Sequence, residues 1–137
     1  MDLLTPGLLG EVERVVDAGQ TADSLGSGLV PVFGTPALVA LMEAAAVSAV
    51  SASLPPEMTS VGARIDVRHL AATPVGMRVR ARAELLEVDG RRLVFQVTAW
   101  DEAERIGEAT HERFIVHEAR FTAKADTKGR PSAKAHS

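Results

Sequence analysis

The sequence predicts an α+β domain in which one curved antiparallel β-sheet wraps around one long central α-helix. Three observations carry this. An apolar stretch runs from Ala37 to Leu54, fenced by Thr35-Pro36 before it and Pro55-Pro56 after it. Beyond Met58, apolar and polar residues alternate in strand-length runs. Asp89-Gly90, a strong hairpin signal, joins two of those runs.

The first element is "LLGEVERVVDA", residues 8 to 18, which reads as a strand. "GQTADSLGSGLVP" follows, a loop rich in Gly, Ser and Asp. The helix then starts with a residue able to cap, Thr35, and with Pro36, whose missing N–H does no harm in a first turn. Pro55 and Pro56 stop it. The span between is about 27 Å long at 1.5 Å per residue. Glu43 is its only charge, so nearly the whole circumference needs a cover.

Strands follow. In "VGARIDVRHL", Val61, Ala63, Ile65, Val67 and His69 share one phase, and Gly62, Arg64, Asp66, Arg68 and Leu70 share the other. His69 therefore falls on the apolar face. "MRVRARAEL" alternates with Met77, Val79, Ala81, Ala83 and Leu85 inward. The adjacent Leu85 and Leu86 predict a bulge. "RLVFQVTAW" and "RIGEATHERFIVHEA" supply two more strands, joined by "DEAE". One domain is expected over residues 1–124, with a polar, disordered tail over 125–137. A single sheet on a single helix leaves open edges and a thin core, which favours a homodimer.

Composition narrows the function. Apolar residues make up 46% and charged residues 24%, as in soluble globular proteins. The net charge of −3 provides no basic field for nucleic acid or an acidic membrane surface. With no cysteine, a disulfide framework, a thiolate zinc site and a cysteine nucleophile are excluded. The N-terminus lacks a basic start and apolar core of the secretory kind, and Glu43 interrupts the one membrane candidate, so a soluble cytoplasmic protein is expected.

Strand, long helix and antiparallel meander together are similar to the hotdog fold of acyl-CoA thioesterases and dehydratases. "TPALVALMEAAA", "VGARIDVRHLAATPVGMRV", "VDGRRL" and "IGEATHERFIVH" sharpen this, and the chain from about Gly26 to Phe121 resembles the fluoroacetyl-CoA thioesterase branch. The resemblance implies an acyl-CoA thioesterase that needs no metal or bound cofactor, coenzyme A being part of the substrate. It implies catalytic roles for Thr35, Glu43 and His69, and substrate contacts for Gly62 and Arg113. Fluoroacetate-specific members carry aromatic residues ahead of the helix as a lid. Here "SLGSGLVPVFG" offers Phe33 alone, so the expected substrate is a small acyl-CoA, with fluoroacetyl-CoA one candidate among others. A non-catalytic acyl-CoA-binding protein and an enoyl-CoA hydratase are the alternatives.

Each residue also has a plainer reading. Thr35 is a good N-cap. Glu43 would serve as an interface charge, and His69 as a satisfied core histidine. Thr35 and Glu43 lie about 12 Å apart along an ideal helix and about 80° apart around it, so they do not touch. Arg113 shares a phase with His111 and suits a carboxylate or phosphate, or a cross-strand pair. Arg64, Arg68, Arg78, Arg80 and Arg82 suit either a solvated sheet face or the phosphates of coenzyme A.

Overall fold

A computed structural model describes residues 3–130. Strand β1 (Leu9–Val15) precedes helix α1 (Thr35–Val50), which ends in a 3-10 turn over Ser51–Ser53. Strands β2 (Met58–His69), β3 (Arg78–Asp89), β4 (Arg92–Asp101) and β5 (Arg105–His117) follow, then helix α2 (Glu118–Gly129). The five strands form one antiparallel sheet in the order β1-β3-β4-β5-β2. The chain therefore leaves β1 at one edge, passes through α1 and enters β2 at the opposite edge.

The meander is built as its sequence requires. Asp89 pairs with Arg92 around a two-residue turn, and Gly90 supplies the positive φ of 60° that a tight hairpin needs. At the next turn the Asp101 carboxylate accepts from the N–H groups of Ala103 and Glu104, at 2.8 and 2.9 Å. The bulge expected at Leu85-Leu86 is present, with the register shifting between Leu85 and Glu87.

Leu38, Met42, Ala45, Leu85, Leu93, Phe95 and Ile106 fill the space between helix and sheet. Burying each large side chain contributes about 1.5–3 kcal/mol. Gly10 lets β1 approach α1 closely, because a Cβ there would run into the Ala45 carbonyl and the Ala49 amide. By length and composition Thr35–Ser53 is apolar enough to cross a membrane. In this fold it lies on the sheet instead.

Four expectations change. First, α1 packs chiefly against β1 and β3 and touches the other strands sparingly, so within one chain it is not covered all round. Pro36, Ala40 and Val47 are exposed, and Val39, Glu43 and Ala44 are partly so. Second, Thr35 is not the cap. Gly34 is the N-cap, its carbonyl accepting from Leu38 N–H at 3.0 Å, and Thr35 is the first helical residue. Third, a bulge between Gly62 and Arg64 reverses the phase of β2, so Ser60 and Gly62 face the helix side together with Ile65, Val67 and His69. Fourth, α2 carries helix through Gly129, across the first five residues of the expected disordered tail. Its start is capped by the His117 ring, which accepts from Arg120 N–H at 3.3 Å. Glu118 in the first turn and Lys128 in the last suit the helix dipole. No residue of α2 is buried, which is why its polar composition hid it. Residues 131–137 of that tail lie outside the described residues.

Candidate active site

The site residues fall into two groups along one side of α1. The first lies at the helix N-terminus. Because Gly34 caps the helix, the Thr35 hydroxyl is not spent on the backbone, and its Oγ1 lies 2.8 Å from His69 Nδ1 at the end of β2. His69 Nε2 is buried without a hydrogen-bond partner among the described residues. Burial pushes the pKa of His69 below the ordinary 6.5, opposed in part by the Ala71 backbone. A neutral ring bonded to a hydroxyl is the arrangement that removes a proton from an attacking oxygen. The N–H groups of Thr35 and Ala37 belong to the first helical turn, which has no intrahelical acceptors for them, while Pro36 has none to offer. That end of the helix favours developing negative charge.

The second group lies two turns further on. Arg113 is only 6% exposed yet carries a full charge, and the site answers each part of its fork. Its Nε donates to Ser60 Oγ at 2.8 Å and its Nη2 to the Ser60 carbonyl at 3.0 Å. Its Nη1 lies 3.1 Å from Glu43 Oε2 and 3.1 Å from His111 Nε2. Gly62 is opposite Arg113 in the register, and a Cβ on Gly62 would sit 2.5 Å from Glu43 Oε2. Glycine there makes room for the carboxylate. This answers why a helix so apolar carries Glu43: its charge is paired with a buried guanidinium.

The structure thus brings Thr35 to His69, and Glu43 to Gly62 and Arg113. No hydrogen bond joins Glu43 to His69 among the described residues of one chain. Arg113, expected to touch substrate, is hydrogen-bonded within the chain to Ser60, Glu43 and His111. Sequence reasoning missed Ser60 and gave His111 no role, because the bulge that turns Ser60 inward leaves no mark in the alternation. Among the described residues no group of three His, Asp or Glu side chains is placed to hold a metal ion. Three of the five outer-face arginines pair with carboxylates. Arg80 lies 3.1 Å from Glu11 and stacks over Trp100, Arg78 is 3.5 Å from Glu13, and Arg64 is 3.5 Å from Glu112.

The pattern of residues and the fold have known counterparts. Residues 16–119 match the model of the fluoroacetyl-CoA-specific thioesterase family. This chain belongs to that family. The fluoroacetyl-CoA thioesterase of Streptantibioticus cattleyicolor is 46% identical over 97 residues, covering 71% of this chain and 70% of that protein. A solved structure of a fluoroacetyl-CoA thioesterase superposes with a TM-score of 0.87 at 38% identity, covering 93% of this chain and 98% of that one. A hot-dog-like protein from Thermanaerovibrio acidaminovorans, 23% identical, shares the fold with a TM-score of 0.84 over 96% of this chain and 97% of its own. The hotdog fold and thioester-hydrolase class expected from the sequence are those of its family.

Proposed function

We propose that the protein hydrolyses small acyl-CoA thioesters to the free acid and coenzyme A, working as a homodimer whose two chains build each site together. The observation that carries the reading is the Thr35–His69 pair, 2.8 Å apart at a helix N-terminus, with the far ring nitrogen left unpartnered. Thr35 gives its proton to His69 Nδ1 as its oxygen attacks the thioester carbonyl. The first-turn N–H groups of α1 steady the resulting oxyanion. His69 then passes the proton to the departing thiolate as the C–S bond breaks, which leaves the acyl group as an ester on Thr35; the same ring then takes a proton from water as it attacks that ester, and returns it to Thr35 as the free acid leaves. In this tautomer Nε2 carries a hydrogen and needs an acceptor. Glu43 Oε1 makes no hydrogen bond among the described residues, and about 12 Å along the helix separates it from Thr35 in its own chain. The partner's copy of that carboxylate supplies the acceptor and orients the ring.

The apolar stripe of Pro36, Val39, Ala40 and Val47 on α1, together with the unpaired outer edge of β2, supports a second chain at this face. Related thioesterase mutants have been crystallised with fluoroacetate and CoA, and with acetyl-CoA. In this chain Phe33 is 1% exposed, part of the core rather than a lid. Leu29, 97% exposed, heads the loop with Val30 and Leu25 beside it. The segment ahead of α1 thus exposes aliphatic rather than aromatic side chains, which supports acceptance of acetyl and other short acyl groups as well as fluoroacetyl.

Thiol release from a panel of acyl-CoAs tests this, with Thr35→Ala as the control. Turnover of several short acyl-CoAs that Thr35→Ala abolishes is the expected result. Strong preference for fluoroacetyl-CoA alone would refute the broad acyl range. Binding of acyl-CoA without thiol release would favour a non-catalytic binder, and loss of enoyl absorbance would favour a hydratase.

A further inference from the structure

His111 has no part in the chemistry so far, yet it is the most enclosed titratable group near the site. It is 1% exposed, on β5, and its ring lies against Phe95 of β4 with centroids 6.2 Å apart. Both ring nitrogens are engaged. Nδ1 is 2.7 Å from the Arg64 carbonyl, an atom that only accepts. Nδ1 therefore carries the hydrogen. Nε2, 3.1 Å from Arg113 Nη1, is left with its lone pair and accepts from the guanidinium. The bonds on its two sides select a single neutral tautomer.

The Arg64 carbonyl stands where β2 bulges, between Gly62 and Arg64. His111 thus ties the bulge to Arg113, the residue that holds Glu43. Charged groups bear on it from the elements around it: Arg113 and Glu112 on its own strand and Glu43 on α1. Protonation would place an imidazolium against the guanidinium, so the arrangement needs the neutral ring.

We propose that His111 is a positioning residue, its Nδ1–H held by the Arg64 carbonyl and its bare Nε2 aiming Arg113 Nη1 at the Glu43 carboxylate. This rests on the reading of Glu43 as part of a thioesterase site. The chain of contacts runs from bulge to His111, to Arg113, to Glu43. A misplacement of about 1 Å at a reacting centre costs on the order of 10²-fold in rate. His111 is well placed to prevent one without touching substrate.

Two conservative variants divide the roles of the ring. His111→Gln places an amide oxygen near the Nε2 position and still accepts from Arg113. His111→Asn reaches only the Nδ1 position, so it keeps the bond to Arg64 and loses the one to Arg113. His111→Asn should lower kcat by about 10- to 100-fold, with KM for acyl-CoA and Tm close to those of His111→Gln. His111→Gln should stay within a few-fold of wild type. Equal losses that follow Tm, or no loss in either, would overturn the proposal.

A second readout needs neither variant. Long-range 1H–15N spectra of the wild-type protein should show His111 protonated at Nδ1 and bare at Nε2, and a sharp Arg113 Nε–H resonance protected from exchange. The opposite tautomer would overturn the proposal even if both variants fail to fold. If the wild type hydrolyses no acyl-CoA, the thioesterase reading fails. The spectra then still decide whether His111 holds Arg113.

Discussion

The two groups along α1 differ in how completely they are satisfied. At the helix start, Thr35 and His69 share one hydrogen bond, and His69 Nε2 has no partner among the described residues. Two turns on, Arg113 donates from Nε and both terminal nitrogens, and His111 is bonded at both nitrogens. A group with unspent hydrogen-bonding capacity can engage a substrate or a second chain. A guanidinium held at all three nitrogens fixes the position of one carboxylate oxygen. The difference matches the proposed division between residues that move protons and residues that hold others still, a distinction that Thr35, Glu43, His69, Gly62 and Arg113 do not reveal as a bare set.

The largest effect is expected at the open pair. His69→Ala removes the proposed proton acceptor and should cost about 10²–10⁴ in kcat. It also removes one hydrogen bond to the exposed Thr35 hydroxyl, so Tm should stay close to wild type. Loss of activity together with a collapse in Tm would make His69 structural and erase the contrast. Gly62→Ala is next. A Cβ at 2.5 Å from Glu43 Oε2 has to displace the carboxylate, and kcat should fall by about 10- to 100-fold with little change in Tm. Unaltered turnover would show that the placement of Glu43 is unimportant.

Glu43→Gln should sharpen the stability side. It leaves a buried guanidinium short of countercharge. A hydrogen bond between charged groups contributes about 1.5–3 kcal/mol. Because the Glu43 side chain is 40% exposed, solvent screening reduces the expected loss to about 1 kcal/mol. Denaturant unfolding measures it, and a more stable Glu43→Gln protein would contradict the pairing.

The smallest effect concerns pH. His69 and His111 both have pKa values below 6.5 in the folded protein, chiefly through burial. The unfolded chain therefore binds more protons than the folded one between those lowered values and 6.5. Their contribution to stability is full above pH 6.5 and is lost as pH falls through the lowered values. Urea midpoints at pH 7.5 and 5.5 should differ in that direction. With His69 as the proposed proton acceptor, the acid limb of kcat/KM should lie below pH 6.5. A stability that rises on acidification would require histidines stabilised as cations.

Much of this was legible in the chain. Alternation and the Asp89-Gly90 turn predicted the meander, and a single carboxylate in an apolar helix marked Glu43. The bulge in β2 was not legible. Ala63 reads as one more inward residue, so Ser60 and Gly62 changed faces only once register was seen. Thr35 looked like a cap because Thr commonly is one. Gly34 takes that place, its own approach to the Ala22 backbone being so close that a Cβ would sit 3.1 Å away. Pairings such as Glu43 with Arg113 span 70 positions, and local pattern does not encode them.

In the proposed homodimer the two groups meet across two chains, and mixing variants tests that join most directly. Thr35→Ala and Glu43→Gln chains are each expected to be nearly inactive alone. Co-expressed, half of the dimers should be mixed, and in each of these one site takes Thr35 and His69 from one chain and Glu43 from the other. About a quarter of wild-type turnover should return. No recovery from mixed dimers shown to have formed would mean that each site is built within one chain, and would contradict the shared Thr35–His69–Glu43 site.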